Sequence, residues 1–201
     1  MKLYLLPVLL LALLSACANK PIYPPAPAKA EASEWMYLLG PGDSVNVFVW
    51  GNPEVSGSFP IRPDGKITMN LAEDLPASNK TPTQLAREIE KVLARYIQDP
   101  VVTVNVGGGV GPYDQQIRVL GEAAKPQALN YRENMTLVDL MIAVGGITDF
   151  AAGNRASILR VVEGKPQQFG VRIEDLIKDG DISANVDMRP GDVLIIPESW
   201  F

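Results

Sequence analysis

Few side chains in this sequence can do chemistry, and their types narrow what that chemistry would be. Histidine is absent from the 201 residues and cysteine occurs once, at Cys17. The commonest general base, the Ser/His and Cys/His nucleophile pairs and the commonest zinc ligand are therefore missing. Catalysis would fall to carboxylates or lysine. The adjacent pairs Glu73-Asp74 and Glu174-Asp175 invite a glycosidase or lyase reading, but that chemistry needs two carboxyl groups about 5 to 9 Å apart across a cleft, and adjacency does not supply one. Asp43, Asp64 and Asp192 each stand beside a glycine in a turn sequence, which favours turn-capping over acid/base work. The glycines at 107, 108, 109 and 111 lack the Gly-Lys-Ser/Thr continuation of a phosphate loop and read as a flexible interdomain loop. Trp35, Trp50, Tyr113 and Trp200 offer ring faces suited to the apolar face of a pyranose. Trp50 is read as core, which leaves Tyr113 and Trp200 as the candidate glycan contacts. The expectation is a non-enzyme with no catalytic residue, no cofactor and no metal site.

Cys17 carries a different chemistry. It closes the run Leu14-Ser15-Ala16-Cys17 after an apolar stretch from Leu3 to Leu14, with Lys2 as a small positive head. That stretch has the length of a signal-peptide core and falls short of the ~20 residues of a spanning helix. The pattern is that of a bacterial lipoprotein signal, predicting a leader over 1–16 and cleavage before Cys17. Resemblance to the lipobox, Leu14 to Ala16, implies a thioether-linked diacylglycerol on the sulfur and an acylated amine. More than one acyl chain is what stable anchoring requires. An ordinary secreted protein with an incidental cysteine is the lesser alternative, because the lone cysteine stands where a lipobox needs it. Ala18 after the cysteine resembles the outer-membrane sorting pattern of enteric bacteria. The chain's formal charge is −5, more negative once Lys2 leaves, which argues against a nucleic-acid partner. With Cys17 committed to lipid no disulfide is available, so stability must come from burial.

The elements that position these residues follow from patterning. Residues 17–34 hold Pro21, Pro24, Pro25 and Pro27, a composition that stays extended and builds no core of its own. Gly40-Pro41-Gly42-Asp43 is a turn, and Val45, Val47 and Val49 alternate with Asn46, Phe48 and Trp50 as in a strand. Strands over Ser58 to Arg62 and Lys66 to Met69, joined by a turn at Pro63-Asp64-Gly65, complete a small antiparallel sheet with the first. Thr81, Pro82 and Gln84 predict a capped helix start, with Leu85, Ile89, Val92, Leu93 and Tyr96 as its apolar stripe. Val101 to Val106 reads as a strand returning to the same sheet. In the second half, strands at Gln116 to Leu120 and Ala128 to Tyr131 form a hairpin-like pair. A largely buried helix follows Thr136 and stops at Gly145-Gly146, and Ser157 to Val162 and Gln167 to Val171 form a hairpin. Ile173 to Ile177 adds a helical turn, and Arg189-Pro190-Gly191-Asp192 leads into a strand at Val193 to Ile196. Pro-Gly-Asp thus precedes a strand twice, which reads as shared turn chemistry. The fold class is α+β: a small β-rich domain with one main helix over 35–112, then a β-grasp-like domain over 113–201.

Four motifs in order carry a resemblance: Leu39 to Asp43, Arg62 to Gly65, Thr81-Pro82 with its helix, and Asp99-Pro100-Val101-Val102-Thr103-Val104. Together they resemble the export domain of bacterial outer-membrane polysaccharide export proteins. Val119-Leu120-Gly121-Glu122, Lys125-Pro126, Met135-Thr136-Leu137, Ala143-Val144-Gly145-Gly146 and Arg189 to Asp192 are similar to a soluble-ligand-binding β-grasp domain. The resemblance implies a ring of identical subunits, lipid-anchored at the outer membrane and facing the periplasm, through which a capsular polysaccharide or exopolysaccharide leaves the cell. It also implies an inner-membrane copolymerase as docking partner. Ile196 to Phe201 resembles the ending of short export proteins from exosortase-linked exopolysaccharide systems. Large family members continue into an amphipathic pore helix that this sequence does not show. The expectation is that a separate β-barrel supplies the hole or that the protein acts as a periplasmic collar. The alternative is a lipoprotein that binds a soluble glycan or cell-wall ligand through its β-grasp domain without conducting anything. A conduit that lets polymer slide should lack deep, specific pockets, since each tight contact raises the barrier to the next step.

Overall fold

The computed structural model describes residues 23–29 and 35–199. Leu14, Ser15, Ala16, Cys17 and Trp200 lie outside the described residues. Buried apolar side chains gather into two clusters, one drawn from residues 39 to 104 and the other from 117 to 196, in an α+β architecture.

In the first unit, β1 (Ser44–Val49) is the middle strand of a three-stranded sheet, flanked by β2 (Gly57–Pro60) and β5 (Val102–Gly108), both antiparallel. Val45, Val47 and Val49 point inward with Val102 and Val104. They pack on α1 (Pro82–Leu93), whose Leu85, Ile89 and Leu93 are fully buried. The start of α1 follows the expected capping box: Gln84 N–H donates to Thr81 Oγ1 at 3.2 Å and Thr81 N–H donates to Gln84 Oε1 at 2.9 Å. β3 (Lys66–Met69) does not join β1 and β2 as expected. It pairs with β4 (Ala72–Pro76), a strand the sequence reading missed, in a separate two-stranded ribbon.

The second unit is a mixed five-stranded sheet in the order β7-β6-β10-β8-β9. Its strands are β6 (Ile117–Gly121), β7 (Ala128–Leu129), β8 (Ala156–Val162), β9 (Lys165–Val171) and β10 (Val193–Ile196). β10 runs parallel to β6 and antiparallel to β8, with Leu194 opposite Val119 and Ile158. Two helices cover the sheet, α2 (Leu137–Val144) and the short α3 (Ile173–Ile177). α2 is less buried than expected: Leu137, Leu140, Met141 and Val144 face the core, but Ile142 is 74% exposed.

Residues 23–29 of the proline-rich segment are docked on the second unit. Ala26 N–H donates to Gly170 O at 3.0 Å, Gly170 N–H to Pro24 O at 2.7 Å, and Asp187 N–H to Ala28 O at 3.2 Å. It therefore lies along β9, the edge of the second sheet, and supplies partners that an edge strand otherwise leaves open.

Candidate functional site

The two Pro-Gly-Asp turns prove to be the same device used twice. Gly42 and Gly191 take φ of 91° and 83°, which an L side chain resists. The following aspartates are both fully buried. Asp43 Oδ2 accepts from Gly40 N–H at 2.9 Å and Asp192 Oδ2 from Arg189 N–H at 2.7 Å, each three residues back, and each turn leads straight into a strand.

They differ in what else they hold. Asp43 also accepts from the Tyr37 hydroxyl at 2.7 Å, and its Oδ1 takes Val110 N–H at 2.6 Å and Gly111 N–H at 2.9 Å. Burial first, and then the hydrogen bond to Asp43, pushes the Tyr37 phenol above its ordinary value. The glycine-rich stretch expected to be a flexible loop is thus tied to the opening turn of the first unit. Gly40 permits the contact: a Cβ there would lie 2.3 Å from the Gly111 carbonyl carbon. Asp192 instead faces a guanidinium. Arg160 Nε donates to Asp192 Oδ1 at 2.9 Å and Nη2 to Oδ2 at 2.6 Å, with the side chains 3% and 0% exposed. Sequence reading missed Arg160; the signal available was a lone cation inside the apolar strand Ser157 to Val162. Both carboxylates are saturated with internal donors and sealed from solvent, which suits a structural role.

The remaining carboxylate candidates are on the surface. Asp74 and Asp64 both pair with Arg62, Glu174 with Lys178 and Asp175 with Arg172, contacts worth little individually. Arg62 holds the Asp64 carboxyl below the ordinary range through its hydrogen bond.

Of the aromatic candidates, Tyr113 stands 75% exposed in the linker turn. Trp50 corrects the sequence reading: it is 71% exposed and not core. The reason is strand parity. With Val45, Val47 and Val49 committed inward, Phe48 must point outward, and Trp50, two residues on, shares its face. The two rings meet edge to face, centroids 6.2 Å apart. Trp35 is half-buried, its ring edge to face with Tyr131 at 5.1 Å and with Tyr37 at 6.3 Å, so it bridges the two units. An open groove of about 630 Å³ lies between α2 and the segment after β7, lined by Leu129, Asn130, Arg132, Met135, Asp139 and Ile142 among others.

Comparison with known proteins divides the chain at the same linker. Residues 31–107 match the family described as polysaccharide biosynthesis/export protein, and residues 116–170 match the SLBB domain. Among curated proteins the chain is similar to the EPS I polysaccharide export outer membrane protein EpsA of Ralstonia nicotianae, 27% identical over 187 residues, covering 81% of this chain and 47% of that one. It is equally similar to the protein of that name from Ralstonia solanacearum, 27% identical over 182 residues, covering 79% and 47%. The chain spans about half the length of these relatives.

Proposed function

This chain belongs to the polysaccharide export protein family, and from that premise we propose that it is a lipid-anchored component of a capsular polysaccharide or exopolysaccharide export complex at the outer membrane, facing the periplasm. Identical copies surround the polymer in a ring and pass it on with its bonds intact. The observation that carries the reading is the ordered pair of matched segments, an export domain and then an SLBB domain, joined by a linker that Asp43 holds in place. The two buried clusters, over residues 39–104 and 117–196, support domain bounds of 35–112 and 113–201.

The docked tether supports an orientation. If Cys17 carries the lipid, the six residues from it to Tyr23 reach at most about 20 Å, and Tyr23 to Ala28 lie on the second unit. The β-grasp domain then sits against the membrane, and the export domain reaches into the periplasm towards an inner-membrane copolymerase. The saturated, sealed Asp43 and Asp192 fit a protein that leaves glycosidic bonds alone.

A second reading, a lipoprotein that binds a soluble glycan or cell-wall ligand without conducting, draws on the open groove beside α2. Deleting the gene and weighing secreted polymer separates the two. The export reading expects secretion to collapse and to return on complementation. Undiminished secretion would reject it in favour of the binder.

A further inference from the structure

We propose that the outer face of the β2-β1-β5 sheet is a glycan-contact track, on which a few successive pyranose units of the exported polymer rest against Phe48 and Trp50. The inference rests on the export reading and names the surface of the first unit that would meet the polymer.

The three strands and their immediate ends, residues 44–50, 57–60 and 101–108, contain no charged residue, in a chain that is 20% charged. A solvated sheet face is ordinarily polar and charged, so the exclusion is informative. What projects outward instead is a mixture of rings, amides and hydroxyls. Phe48 is 51% exposed and Trp50 71%, and their edge-to-face contact fixes both rings without covering them. Asn46 lies opposite Ser58 on one neighbouring strand and Asn105 on the other, and Phe48 lies opposite Thr103; these polar partners are all exposed. Ring faces take the C–H side of a pyranose, while amides and hydroxyls exchange hydrogen bonds with its hydroxyls. Neither chemistry needs a charge.

Dimensions favour a polymer over a second protein. Three strands about 4.8 Å apart and about 20 Å long present a patch on the order of 300 Å², well under the ~800 Å² per partner of a standard protein interface. That length suits three or four sugar units laid along β1. The face is flat and open, so contacts are individually weak and any repeat of the polymer can occupy them in turn, as a sliding chain requires.

The test is affinity electrophoresis of the full-length, detergent-extracted protein in native gels containing exopolysaccharide purified from the producing bacterium's own medium. Phe48→Ala/Trp50→Ala removes two exposed rings and leaves the core untouched, so it should fold; matching circular dichroism and thermal midpoint would establish that. The double variant is expected to weaken retardation at least ten-fold, Trp50→Phe to restore most of it, and Phe150→Ala, an exposed ring of the second unit, to leave it within two-fold. Retardation of the double variant equal to wild type, or no retardation of the wild type, overturns the track. So does a double variant that falls apart into smaller assemblies yet binds polymer normally, since the face would then be a contact between copies. Polymer secretion from the deletion strain reports separately: if it is undiminished the export reading fails, whereas restored secretion with unchanged gel affinity sinks only the track.

Discussion

At the scale of single residues, the molecule invests its buried charge in turns. Asp43 receives two N–H groups from 67 and 68 residues downstream, so replacing it by alanine strands four donors at once, two of them in fully buried bonds. With an unmade buried bond costing about 1 to 3 kcal/mol, Asp43→Ala should lose at least ~3 kcal/mol in urea unfolding; a loss below ~1 kcal/mol would mean the linker is not held there. Arg160→Met leaves the Asp192 carboxylate sealed in without its cation, and should cost about 3 to 5 kcal/mol by the same measurement. The Pro-Gly-Asp spelling made both turns legible in the sequence, because proline and glycine dictate backbone angles locally. The partners of the aspartates were not legible, because only tertiary structure brings Val110 or Arg160 to them. Trp50 was misread for a different reason: its size argues for burial, and strand parity with three inward valines overrides size.

At the scale of elements, local chemistry set the ends and long-range pairing set the neighbours. The starts of α1 and α2, the stop of α2 at Gly145 with φ 78°, and strands β3 and β10 all fall where capping, turn and periodicity signals place them. β4 was hidden because Ala72-Glu73-Asp74-Leu75-Pro76 does not alternate cleanly, and its pairing with β3 is bulged. The parallel partnership of β10 with β6 spans most of the second unit, and no local signal encodes it. At the start of α2, the Asp139 carboxyl accepts from the Thr136 hydroxyl at 2.7 Å and from Thr136 N–H at 2.9 Å. The hydroxyl first, then the backbone N–H, holds Asp139 below the ordinary carboxylate value. A depressed folded value adds stability that is complete above the unfolded value near 3.9 and is lost as pH falls through the folded one. Thr136→Ala should therefore cost about 1 kcal/mol at pH 6, and the gap between the urea midpoints of variant and wild type should be smaller at pH 3 than at pH 6. Equal gaps at both pH values would contradict the capping role.

At the scale of the whole molecule, the described residues form two packed units, a linker held by Asp43 and a segment, residues 23–29, docked on β9. Among the described residues no helix is long and apolar enough to cross a membrane; the attachment proposed here is through Cys17. Cys17→Ser should abolish fatty-acid labelling, leave uncleaved precursor and reduce secreted polymer; normal labelling would refute the anchor. Sequence motifs pointed to the family through residues that make turns and caps. Phe48 and Trp50 carried no such signature, although their alternation with Val45, Val47 and Val49 already put them on the opposite face of the strand. Closure of copies into a ring is the claim on which the conduit stands, and native mass spectrometry of the acylated protein extracted in mild detergent measures it most directly. The account predicts one dominant mass at a fixed multiple of the acylated chain, seen as closed rings by electron microscopy; a monomer persisting at every protein concentration would contradict it.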